Sequence, residues 1–132
     1  MPLHIVKLCV GADSVEDLAN WQKHFERPVC GTRMRPKKDA EVLAGGSLYW
    51  VIKGLVCVRQ RIVEIGDVVD EHGPRVGLYL GRELIRTIPQ PRRAFQGWRY
   101  LEANDAPADL DTRADGDLPD ELRAQLAEIG VL

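Results

Sequence analysis

The sequence predicts an α+β fold built on a curved, mostly antiparallel sheet with flanking helices. Three observations lead there. Apolar runs rich in β-branched and aromatic residues follow one another through the middle of the chain, without the alternating helices of βαβ units. One clear amphipathic helix precedes them. A leucine stripe near the C-terminus supplies a second helix. The 132 residues match one domain, and a 45% hydrophobic content is enough for a core without a metal or disulfide staple.

Taken in order, His4 to Val10 is an apolar strand closed by Gly11. Ser14 is a helix N-cap with Asp17 three residues on, and Val15, Leu18, Trp21, Gln22 and Phe25 share one helical face up to Pro28. Thr32 to Arg35 reads as a short strand. Lys37 to Ala44 reads as one or two helical turns stopped by Gly45-Gly46. Leu48 to Lys53 and Leu55 to Ile65 carry the strongest strand composition, with Gly54 between them as a bulge or tight turn. Glu71-His72-Gly73-Pro74 has turn chemistry and Val76 to Leu80 is a strand, so a hairpin is expected. Arg82 to Thr87 is ambiguous, and Pro89 and Pro91 argue for irregular chain. Phe95 to Leu101 is strand-like. The organisation expected is therefore a core domain over residues 1–102, an acidic connector over 103–117, and a C-terminal helix over 118–132. Leu118, Leu122, Leu126 and Ile129 would dock that helix on the core.

Composition narrows the function classes. No apolar stretch approaches the roughly 20 residues of a membrane-spanning helix. Lys7 interrupts the N-terminal apolar run where a signal peptide would be uniform, so the expectation is a cytoplasmic protein without a membrane partner. Cys9, Cys30 and Cys57 are odd in number and show no C-x-x-C spacing, which fits free thiols. His4, His24 and His72 lack metal-ligand spacing, so no metal is expected. Phosphate-binding and dinucleotide glycine motifs are absent, as are hydrolase motifs, and no cofactor is expected. The net charge of −2 hides a division. Residues 1–100 hold 16 Lys+Arg against 11 Asp+Glu, and residues 101–132 hold two against nine. That pattern fits a basic body with an acidic tail.

Two clusters carry chemistry. Alternation along Leu55 to Ile65 puts Leu55, Cys57, Arg59, Arg61, Val63 and Ile65 on one side, so Arg59 and Arg61 interrupt an otherwise apolar face. Guanidinium groups there need a carboxylate, an anionic ligand or a bulge that turns them outward. The second cluster runs from Pro91 to Tyr100. It interleaves Arg92, Arg93 and Arg99 with Phe95, Gln96, Trp98 and Tyr100, a mixture that can pair with phosphates and stack on bases, or form a plain aromatic core with arginines lying over it. Arg33, Arg35, Lys37 and Lys38 add positive charge around Pro36.

The stretches His4–Gly11, Ala44–Gly54 with Arg59-Gln60-Arg61-Ile62, and Arg92–Leu101 resemble the bacterial family known as domain of unknown function 1489 over nearly the whole chain. That resemblance implies no established activity. A more distant likeness is to PUA-like barrels and their ASCH relatives, carried by Ile52-x-Gly54, Arg59 and Gly66-Asp67. It implies a small curved β domain linked to RNA, although the Gly-x-Lys-x-x-Glu core of the ASCH pattern is missing.

The leading expectation is a binding module for RNA or a nucleotide-like anion rather than an enzyme. Arg59, Arg61, Arg92, Arg93 and Arg99 would hold phosphates, and Trp50, Phe95 and Trp98 would offer stacking faces, with Gln96 beside them. One alternative is a small enzyme for a phosphorylated or carboxylated metabolite, with Glu64, Asp67 or Tyr100 as general acid or base. The other is a protein-interaction module.

Overall fold

The computed structural model describes residues 3–110 apart from 10, 72 and 94. Seven strands form one sheet: β1 (His4–Leu8), β2 (Val29–Thr32), β3 (Ser47–Ile52), β4 (Leu55–Asp70), β5 (Gly73–Leu80), β6 (Ile85–Pro91) and β7 (Trp98–Leu101). Two helices, α1 (Val15–Gln22) and α2 (Asp39–Leu43), are the helices among the described residues. The strand order is β2-β5-β4-β3-β1-β7, with β6 also on β4. Every pairing is antiparallel except β1 with β3. The chain is thus α+β, and its mixed sheet is open at β2 and β7 and does not close into a barrel. The C-terminal helix expected over 118–132 lies outside the described residues.

The long strand β4 organises the sheet. Its first half pairs with β3 on one side and β6 on the other, and beyond a bulge between Ile62 and Glu64 its second half pairs with β5. β5 and β6 are therefore successive partners along the same edge of β4. Lys53 (φ 50°) and Gly54 (φ 80°) make the two-residue connection between β3 and β4. Positive φ at both central positions matches the twist of a hairpin, so Gly54 belongs to a tight turn.

The bulge also decides which residues face the core. The side of β4 toward the larger cluster is Val58, Gln60 and Ile62, with Ile65 turning the same way only after the bulge, while Val56, before a register shift, joins the smaller cluster. The face expected to be apolar, with Arg59 and Arg61 in it, is the more exposed one. Both faces carry apolar side chains through Val58, so alternation alone did not choose between them.

β3 is buried at all six positions because both faces of the sheet are covered. Leu48, Trp50 and Ile52 join Ile5, Leu18, Val42, Val58, Ile62, Leu78 and Leu80 in the larger cluster, on the side of α1 and α2. Tyr49 and Val51 join Val6, Val56 and Leu101 in the smaller one, with Phe95 and Ala106 packed against it. Gly46, just before β3, passes so close to α2 that a Cβ there would sit 2.2 Å from the Leu3 carbonyl oxygen and 2.5 Å from that of Val42.

Three elements differ from the sequence reading. The short strand lies at Val29–Thr32, earlier than Thr32 to Arg35, where it pairs with β5. Helix α1 stops at Gln22, well before Pro28, and its buried residues are Leu18 and Gln22, while Trp21 is 51% exposed. The proline-containing stretch forms β6, which sits outside β4 and so tolerates Pro89 and Pro91. Residues 103–110 lie against β6 through Ile88 N–H to Ala108 O and Leu110 N–H to Arg86 O, both 2.9 Å.

Candidate functional site

Arg59 and Arg61 have separate fates. The Arg59 guanidinium donates from Nε to Asp109 Oδ1 (2.7 Å), from Nη2 to Asp109 Oδ2 (2.6 Å) and from Nη1 to Ser47 Oγ (2.8 Å). This fork-on-fork contact holds the Asp109 carboxyl below its usual range. His4 completes the group. Its Nδ1 accepts from Ser47 N–H at 2.9 Å, and burial, aided by the Arg59 charge, pushes its imidazole toward the neutral form. Arg61 is exposed and approaches the Leu43 carbonyl at 3.5 Å.

Trp50 offers no open stacking face. It is 5% exposed, and its indole N–H donates to Gln60 Oε1 at 2.8 Å. Gln60 is fully buried and uses its whole amide. Its Oε1 also accepts from Gln22 Nε2 (2.8 Å), and its Nε2 donates to Gln22 Oε1 (2.7 Å) and Gly81 O (2.9 Å). The satisfied network pins α1 to β4 and to the loop after β5. Gln22 was read on the apolar face of the helix, but Gln60 was not picked out from sequence as a buried polar residue. The signal was Gln60 within Val56-x-Val58-x-Gln60-x-Ile62.

The residues from Pro91 to Tyr100 do come together. Pro91, Arg92, Arg93, Phe95, Arg99 and Tyr100 line an open depression of about 550 Å³ beside the edge strand β7. The Arg92 and Arg99 guanidinium carbons lie 5.5 and 5.4 Å from the Phe95 ring centre, so one ring carries two cations. Gly97 (φ 71°) turns the chain before β7, and Arg99 Nη1 donates back to the carbonyls of Gln96 (2.9 Å) and Trp98 (3.0 Å). Gln96 thus contributes its backbone. Among the described residues no carboxylate pairs with Arg92, Arg93 or Arg99.

Trp98 sits elsewhere. Alternation along β7 sends Trp98 and Tyr100 to the larger core cluster and Leu101 to the smaller one. The Trp98 indole N–H donates to Met34 O (3.1 Å) and its ring meets Tyr100 edge-on at 4.9 Å. Tyr100 Oη accepts from Lys38 N–H (3.1 Å), with Lys38 Nζ 5.8 Å from its ring centre, so the basic segment around Pro36 meets the sheet at Tyr100. Arg59 does not reach this site. Arg92 N–H donates to Gly54 O at 2.9 Å, and Arg59 stands four residues along β4 from Leu55, about 13 Å at strand rise.

Of the acid–base candidates, Glu64 pairs with Arg27 at 3.2 Å, and neither Glu64 nor Asp67 lines the depression, whereas Tyr100 does. No group of His, Cys, Asp and Glu side chains suited to a metal occurs among the described residues, and none of their helices is long and apolar enough to cross a membrane.

Fold and site together define an α+β sheet protein with a basic, aromatic depression at one sheet edge. The chain belongs to the family described as protein of unknown function (DUF1489), whose profile matches residues 5–132. No curated protein and no solved structure matches it, so the PUA-like resemblance gains no support from a known fold.

Proposed function

We propose that this protein binds single-stranded RNA through the depression at β7, with Arg92, Arg93 and Arg99 on phosphates and Phe95 as the stacking platform. The observation that carries the reading is the set of three arginines without a carboxylate partner among the described residues, two of them gathered on one aromatic ring. Arg59, by contrast, is paired with Asp109. An open depression at a sheet edge suits a chain of phosphates better than a single enclosed metabolite.

The test is a nitrogen–proton correlation titration with oligouridylate. Backbone signals of Arg92, Arg93, Phe95 and Arg99 should shift saturably, and those around Arg59 and Asp109 should stay. Shifts confined to Arg61, or spread evenly over all lysines and arginines, would contradict the assignment.

A further inference from the structure

A second cavity, of about 470 Å³, opens on the other side of the sheet between α1, β1, β2 and the β4–β5 hairpin. That volume falls within the range of roughly 300–1,000 Å³ typical of small-ligand pockets. Its floor is the buried Trp50, set by Gln60, with Leu18 and Cys30 beside it. Trp21, 51% exposed and edge-on to Phe25 at 4.9 Å, stands at its lip.

Lys7 is the unusual residue of the lining. It stands between Ile5 and Cys9 on the side of β1 that faces the larger core cluster, and its cross-strand neighbours are Trp50 and Trp98. An apolar side chain would suit that position, yet it holds a half-buried lysine with no ion-pair partner among the described residues. Arg75 supplies a second donor on the wall. Its Nε is buried without a hydrogen bond, and Asp70 Oδ2, at 3.8 Å, is within ion-pair range but too far to accept one.

We propose that this cavity binds a small aromatic monocarboxylate, its carboxylate on Lys7 and its ring system against Ala12 and the exposed Trp21, above the buried floor. One negative charge is the better match because Lys7 is the cation of the lining without an ion-pair partner among the described residues, whereas Arg75 already faces Asp70. The site is separate from the β7 depression and does not depend on RNA binding.

Calorimetric titration of the full chain with 1-naphthylacetate, 1-naphthylacetamide and 1-naphthyl phosphate tests this. The carboxylate should bind saturably and about tenfold or more tighter than the neutral amide, as a charged hydrogen bond to Lys7 requires. It should also bind tighter than the phosphate. Lys7→Met should bring the carboxylate down to the affinity of the amide. Ala12→Phe, which fills the cavity from its lining, should abolish binding of both, with melting curves showing that each variant is folded. No saturable binding of the carboxylate, equal affinity for carboxylate and amide, tighter binding of the phosphate, or a folded Lys7→Met protein that binds the carboxylate like the parent would each overturn the proposal.

Discussion

Arg59 grips Asp109 with two parallel hydrogen bonds, 2.7 and 2.6 Å long, across fifty residues of sequence. That contact fastens residues 103–110 to the first half of the longest strand and uses the guanidinium that the sequence offered as an anion site. The Arg59 side chain is 22% exposed and that of Asp109 41%, so solvent weakens the pair but does not dissolve it. Arg59→Ala should cost about 1–3 kcal/mol, as expected for a charge-assisted pair plus a freed Ser47 hydroxyl. Urea denaturation checks it. A cost equal to that of Arg61→Ala would show that the pair contributes nothing.

The same cluster sets a pH dependence. The folded pKa of His4 is below its ordinary 6.5, so the unfolded chain binds the proton more readily. Its contribution is complete above pH 6.5 and falls away as pH drops through the lower folded value. Asp109, depressed below 3.8 by Arg59, adds a second loss at more acid pH with the same sign. Stability should therefore decline from pH 7 downward in two stages. His4→Gln should flatten the upper stage, and Asp109→Asn the lower one. Stability that rises on acidification between pH 7 and 5 would contradict this.

The Gln22–Gln60–Trp50 network makes its own prediction. Gln60→Leu keeps the volume but leaves the Trp50 indole N–H and the Gln22 amide buried without partners. Each such group costs about 1–3 kcal/mol, so the loss should reach about 2–5 kcal/mol by denaturant melting. The double variant Gln22→Leu/Gln60→Leu should recover part of it, because one orphaned amide is gone. A double variant less stable than the sum of the single losses would refute a shared network.

Thiol reactivity follows from burial. Cys9, Cys30 and Cys57 are free, and burial pushes each thiol up to about 11, so little thiolate exists at neutral pH. Reaction with a chromogenic disulfide should be slow in the native protein, slowest at the buried Cys30, and should speed up on denaturation. Immediate reaction of all three would contradict the packing.

Local signals were legible in the sequence and long-range ones were not. The Ser14 cap stands as read, its Oγ accepting from Asp17 N–H at 3.0 Å, because capping is set within four residues. The β3 and β4 strands follow from their Val, Ile and Trp content. Strand β6 was missed because two prolines read as irregular chain until a neighbour shows that they lie outside β4. The sequence left open whether Arg59 and Arg61 meet a carboxylate, a ligand or solvent, because both faces of β4 are apolar and a bulge shifts the phase at Ile62. The partner of Arg59 was invisible, since nothing local marks Asp109. The cluster from Pro91 to Tyr100 was visible as composition, but its division into an arginine–Phe95 depression and a core-facing Trp98 is a product of the strand's alternation.

The most direct test of the central claim is the salt dependence of RNA binding. For a single strand the logarithm of affinity should fall against the logarithm of salt with a slope of about −0.7 per phosphate neutralised. Replacing Arg92 and Arg93 together by alanine should flatten that slope by roughly 1.4 units. Phe95→Leu should instead weaken binding by about 1–3 kcal/mol with the slope nearly unchanged, which separates stacking from charge. Trp98→Phe, on the core-facing side, should leave both affinity and slope close to those of the parent. The account predicts a salt-dependent affinity whose slope drops by that amount in the double variant. A folded parent protein with no salt-dependent binding to single-stranded RNA at micromolar concentration, or a slope unmoved by losing both arginines, would contradict it.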